Sequence, residues 1–217
     1  MNVLVYGSGV LGTQVYHLVH EIPEIDISGF IDDTKEIGTA IFSDLKVSEN
    51  RETLEEKLLK EPNFTSDHGL ILAIGPDNLA ARWQAFHWGH EKGFNFPNLI
   101  HPAASVDSSV SIGKGNIILA NATIDYDVSI GDANYLDIGC LISHNSVIGN
   151  NNFLTTGCAT AGNVKFGDHN FVGMHSTFTD FVEVGNENYF SAKNLVSRNI
   201  PDKRKIVTFQ DQKSLPI

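Results

Sequence analysis

The chain has 217 residues and a formal net charge of −11, with 41% hydrophobic and 19% charged side chains. That balance excludes a nucleic-acid duplex as partner, because duplex binding needs clustered Lys and Arg to displace counterions. No apolar run approaches the roughly eighteen residues of a membrane helix. Met1 to Tyr6 carry neither the basic segment nor the small-residue cleavage site of a signal peptide, so a cytoplasmic location is expected. The two cysteines, Cys140 and Cys158, are too few for a disulfide scaffold and form no CxxC pair, and they read as buried thiols.

In chain order, short apolar runs first alternate with helix-like stretches, the pattern of βαβ units. Residues 2–6 read as a strand, 10–20 as a helix and 25–31 as a second strand. Glu52 to Lys60 place Leu54, Leu58 and Leu59 on one helical face, and Gly69 to Ile74 form the continuous apolar run of a buried parallel strand. A long helix near residues 78–92 follows.

From Leu99 the period changes to six. Stepping from Ile100 through Val106, Ile112 and Ile118 up to Phe190 and Val196 meets an aliphatic or aromatic residue every time except at Thr160. A period of eighteen is superimposed. Gly113, Gly131, Gly149, Gly167 and Gly185 recur at that interval, each followed three residues later by Asn116, Asn134, Asn152, Asn170 and Asn188. Three hexapeptides therefore make one coil of a solenoid, rising about 4.8 Å if strand spacing holds. The glycines are expected at corners with positive φ and the asparagines in a hydrogen-bonded ladder. Tyr135, Phe153, Phe171 and Tyr189 form a further column, expected to point outward and mark an interface. The basic tail after Val196, with Arg198, Lys203, Arg204 and Lys205, is expected to cap the last coil.

Gly7-Ser8-Gly9-Val10-Leu11-Gly12 follows a strand and opens a helix, so its backbone N–H groups suit a phosphate. Asp32 lies twenty residues beyond Gly12, where dinucleotide-binding domains keep an acid for a ribose hydroxyl. This leaves an NAD-dependent oxidoreductase open, although about ninety residues hold only half of such a domain. A non-catalytic solenoid scaffold is a further alternative.

The six-residue repeat resembles the hexapeptide, left-handed β-helix family of acyltransferases. With the preceding βαβ segment and Asn98-Leu99-Ile100-His101-Pro102, the whole chain is similar to sugar acetyltransferases of the sialic-acid and bacillosamine type. The resemblance implies a Rossmann-like domain over 1–97 that binds a nucleotide-linked sugar, then a left-handed parallel β-helix over 98–217 that binds acyl-coenzyme A. It also implies a homotrimer acting on an amino group or, in the O-acetyltransferases, on a hydroxyl. In that family the loop Gly7, Ser8, Gly9 and the acidic pair Asp32 and Asp33 contact the nucleotide, and a second element falls on Gly75-Pro76-Asp77-Asn78 and Arg82. Those four residues also read as a plain turn and helix cap.

The general-base position falls on His144, and a histidine is the residue type suited to taking a proton in acyl transfer. The family's following carboxylate is replaced by Asn145, and Asp127 lies one coil below it. Gly162, one coil above His144, takes the place of the backbone N–H that holds the thioester carbonyl. Phe153 stands where relatives keep a histidine toward the acyl group, and Gly157 completes the implied co-substrate set. His169 and His175 are not spaced as metal ligands, and no metal is assigned.

Overall fold

The computed structural model describes residues 1–42 and 44–208. Its first part is a four-stranded parallel sheet, β1 (Asn2–Tyr6), β2 (Asp26–Ile31), β3 (Val47–Glu49) and β4 (His68–Leu72), in the order β3-β2-β1-β4. Four helices connect it: α1 (Val10–His20), α2 (Arg51–Lys60), α3 (Phe64–Asp67) and α4 (Leu79–Glu91). The three-residue β3 and one-turn α3 are too short to show a period in the sequence.

Alternation along β1 divides the packing. Val3 and Val5 point toward Leu11, Val15 and Leu18 of α1, whereas Leu4 and Tyr6 point toward Leu54 of α2 and Ala85, Phe86 and Trp88 of α4. Strands that bury both faces read as continuous apolar runs, which is why Gly69 to Ile74 stood out.

From Leu99 the chain forms a parallel β-helix of two-residue strands, from β5 (Leu99–Ile100) to β22 (Lys205–Ile206). They stack into three faces of seven, six and five strands. Each residue pairs with the one eighteen later, as Tyr135 with Phe153 and Leu141 with Ala159. The expected inward column is the core: Ile118, Leu136, Ile142, Leu154, Phe178 and Phe190 are fully or almost fully buried in one cluster. The asparagine ladder is present. Asn134 Nδ2 donates to Asn116 Oδ1 at 3.1 Å, and Asn152 Nδ2 to Asn134 Oδ1 at 3.1 Å. Both cysteines are buried thiols.

Two expectations change. The column glycines Gly113 to Gly185 do not have positive φ. The left-handed corners lie elsewhere in the hexapeptide, at Gly115, Asn121, Asp127, Ala133, Gly139, Asn145 and onward at steps of six to Lys193. Gly131 and its equivalents are required instead by close approach: a Cβ on Gly131 would stand 2.7 Å from the carbonyl oxygen of Gly149 and 2.5 Å from Asn150 Oδ1.

The aromatic column does point out of the coil, but it is largely covered by the chain's own sheet. Tyr135 and Phe153 are buried against Val5, Leu11, Val15 and Ile71, and Phe171 packs at their edge. Tyr189, at the end of the stack, is exposed. The column is therefore first an internal seam.

Past Val196 the repeat shortens from eighteen to sixteen residues, with Glu183 N–H on Asn199 Oδ1 and Asn186 N–H on Asp202 Oδ1. β22 lies on Tyr189–Phe190 and closes the last coil. The end of the expected cap, 209–217, lies outside the described residues.

Candidate active site

Two clusters of polar groups stand apart. The first is at the carboxyl end of β1. Gly7 has φ +110, and a Cβ there would meet Ala73 O at 2.5 Å, so only glycine lets the loop turn against β4. Gly9 starts α1 with no side-chain cap and no acid in the first turn, leaving the first N–H groups open to an anion. Lys35, which the sequence did not single out, places its Nζ 2.8 Å from Ser8 O beside this loop.

Asp32 is buried and closes the loop from behind. Ser8 N–H and Oγ donate to its Oδ2, and Thr34 N–H (2.9 Å) and Oγ1 (2.7 Å) donate to its Oδ1. Burial raises the carboxyl's pKa, but the hydrogen bonds from Ser8 and Thr34 outweigh it and hold it at about 2. A carboxylate offers about four lone-pair sites, and all four are filled. Asp32 thereby supports the Ser8 loop, and a nucleotide contacting it would share acceptors that Ser8 and Thr34 already use. A ribose hydroxyl finds no free acceptor there, which removes the residue-level support for NAD.

Asp33 is exposed. It takes the Tyr6 hydroxyl at 2.5 Å and the Arg51 N–H at 2.8 Å, and with Asn50, Arg51, Glu52 and Glu55 it lines a cavity of about 400 Å3. Gly75 opens a single 3₁₀ turn, and Asn78 Oδ1 accepts Ala81 N–H at 3.0 Å to cap α4. The turn-and-cap alternative thus describes this segment.

Arg82 makes its hydrogen bonds to the β-helix and none to the loop. Its guanidinium is fully buried in the seam, where Nη1 donates to Ala133 O and to Asn151 Oδ1 (2.7 Å). Burial pulls it down to about 10. It pins α4 to the β-helix.

The second cluster is on the corner between the six-stranded and five-stranded faces, across the coil from the sheet domain. His144 is half-buried there. Its ring stacks on Tyr126, one coil below, at 5.2 Å between centroids and 7° between planes. Its other side lies against Gly162, one coil above, where a Cβ would stand 2.5 Å from Cε1. Asn145 Oδ1 is 3.0 Å from Nδ1. With the amide oxygen as acceptor, Nδ1 carries the proton and Nε2 is the free basic nitrogen. Thr160, the polar break in the core column, accepts the Ser143 N–H at 3.1 Å and steadies the same corner.

Asp127 does not join this group. It is exposed, its N–H bonds to Ser109 Oγ, and its carboxylate makes no hydrogen bond to the imidazole. The Gly162 N–H is already donated to Asp180 Oδ1 at 3.2 Å. Phe153 and Gly157 are not brought to His144 either. Phe153 is buried in the seam, and Gly157 (φ +68) lies under the His175 ring on a different corner. Tyr126 was missed, although the eighteen-residue step back from His144 points to it.

Among the described residues no group of three or more His, Cys, Asp or Glu is placed to hold a metal. No helix there is long and apolar enough to cross a membrane.

These features define a parallel α/β sheet joined to a hexapeptide-repeat β-helix. No family model and no curated protein matches the sequence. The fold is shared with solved structures over nearly the whole chain. The acetyltransferase domain of PglB from Neisseria gonorrhoeae has a TM-score of 0.84 at 23% identity, covering 95% of this chain and 96% of that one. PerB from Caulobacter crescentus, solved with CoA and GDP-perosamine, has a TM-score of 0.84 at 23% identity, covering 96% and 94%. WeeI from Acinetobacter baumannii has a TM-score of 0.65 at 16% identity, covering 96% and 97%.

Proposed function

We propose that the protein is an acyltransferase that moves an acyl group from acyl-coenzyme A to the amino group of a nucleotide-linked amino sugar. The observation that carries this reading is the placement of His144 on a β-helix corner, its ring held between Tyr126 and Gly162 and its Nδ1 3.0 Å from Asn145 Oδ1. The fold likeness to a protein solved with CoA and GDP-perosamine supports the choice of both substrates. On this reading residues 1–97 form a Rossmann-like domain for the nucleotide-linked sugar, and 98–217 form a left-handed β-helix for acyl-coenzyme A.

Gly7, Ser8 and Gly9, with the open N-terminus of α1 and Lys35, hold the diphosphate. Asp33 faces the nucleotide from the neighbouring cavity, Asp32 supports the loop, and Gly75 leaves the space beyond β4 open. The amine attacks the thioester carbonyl while His144 Nε2 takes its proton. The oxyanion is met by the Gly162 N–H once Asp180 yields it. Collapse expels the coenzyme A thiolate, which recovers the proton from the imidazolium. Asn145 holds the tautomer throughout.

The sheet domain covers the seven-stranded face, and His144 sits on the opposite corner. A sugar bound by one chain's loop therefore needs the His144 of another copy, which supports a homotrimer with its site between subunits. Gly157 belongs to the acyl groove only through such a neighbour, whereas Phe153, buried in the seam, does not line it. A cytoplasmic location goes with this reading.

The test is an acyl-transfer assay over panels of acyl-coenzyme A and of amino- and hydroxyl-bearing nucleotide sugars. His144→Ala is expected to lower kcat about a hundredfold. Wild-type protein that binds no coenzyme A would overturn the reading, and transfer only to hydroxyl acceptors would shift it to O-acylation.

A further inference from the structure

This inference rests on the acyl-transfer reading and deepens it. A base that takes a proton becomes an imidazolium, and that cation needs a stabilising neighbour. Asn145 accepts the Nδ1 proton at 3.0 Å but brings no charge. The carboxylates on this corner do not supply it. Asp125 accepts the backbone N–H of Tyr126 at 2.8 Å, Asp180 accepts that of Gly162 at 3.2 Å, and Asp127 is exposed. None of them hydrogen-bonds the ring.

What does meet the ring is the face of Tyr126, parallel to within 7° at a centroid distance of 5.2 Å. That distance lies inside the roughly 6 Å range over which an aromatic face attracts a cation. Gly162 closes the opposite side, because a Cβ there would stand 2.5 Å from Cε1. The three contacts restrain different motions of the ring. The stack sets its tilt, the glycine backbone blocks escape upward, and Asn145 sets the rotation and tautomer.

We propose that Tyr126 is a positioning residue for His144, holding the ring in plane and stabilising its protonated form where a carboxylate is missing. The proton passes from the amine nitrogen to Nε2 and then to the departing thiolate sulfur. Tyr126 exchanges none, so its hydroxyl is dispensable and its ring is not.

The experiment measures kcat, both KM values and the pH profile of kcat for Tyr126→Leu, Tyr126→Gln and Tyr126→Phe, with His144→Ala alongside. The leucine and glutamine variants are expected to lose kcat about tenfold with KM within about twofold, and the acid limb of the profile moves to lower pH. Tyr126→Phe restores most of the loss and the position of the limb. A purely structural role would lower the melting temperature or raise KM without moving the limb. The proposal is overturned if both non-aromatic variants keep wild-type kcat and limb, or if Tyr126→Phe loses as much as they do. If His144→Ala keeps near-normal kcat, the base reading itself falls and the proposal with it. A dead His144→Ala beside a normal Tyr126→Leu sinks the positioning role alone.

Discussion

Asn134 in the β-helix and Asp32 in the sheet domain are both buried acceptors with every lone pair in use, yet they are satisfied in different ways. Asn134 Oδ1 takes the N–H (2.8 Å) and Nδ2 (3.1 Å) of Asn152, the same residue type one repeat away. Asp32 takes Ser8 and Thr34, at separations of twenty-four and two that no period relates. The ladder is neutral and indifferent to pH, whereas the loop clamp carries a charge. The β-helix thus sets its geometry by repetition, and the sheet domain sets its own by single bonds, local and long-range, that do not recur.

The largest effect expected from breaking this comparison is steric. In Gly149→Ala the new Cβ would stand 2.6 Å from Gly167 O and 2.4 Å from Asp168 Oδ1, and stacked backbone cannot retreat. A loss of about 3 kcal/mol is expected, the upper end for overpacking, read by urea denaturation. The mirror test is Gly139→Ala, at φ +69 with open space around it, where only the left-handed backbone resists; it should cost about 1 kcal/mol. Equal losses would mean that conformation, and not close approach, selects the column glycines.

Between these two falls the charged clamp. The folded pKa of Asp32, about 2, lies below its ordinary 3.8, so its contribution is complete above that ordinary value and is lost as pH falls toward 2. The shift corresponds to about 2 kcal/mol. Wild type should lose that increment between pH 5 and pH 2 (roughly the window spanned by the two pKa values), and Asp32→Asn should not. A matching acid slope in the variant would assign the loss to other carboxylates. The same variant should weaken nucleotide-sugar binding while leaving coenzyme A affinity alone, and equal losses for both would undo the division of ligands between the two regions.

The smallest effect lies on the β-helix corner. Asp180→Ala frees the Gly162 N–H, and the KM for acyl-coenzyme A is expected to fall by about threefold or less, the scale of one exposed hydrogen bond. A rise in KM would show that Asp180 orients this amide and does not compete for it.

The sequence by itself determined the β-helix. A residue there has neighbours at i ± 18, so the core column, the ladder and the stacking of His144 beneath Gly162 follow from counting, and Tyr126 was legible by the same step. It also determined β1, α1 and β2, because alternation and the glycine loop act locally. Only the tertiary structure decided what covers each surface. That Arg82 is buried on Ala133 and Asn151, that Tyr135 and Phe153 form a seam, and that Asp32 Oδ2 is taken by Ser8 all depend on contacts between segments with no common period. The left-handed corners were misplaced for a related reason: glycine answers both a positive φ and a close approach, and composition cannot say which of the two a position demands.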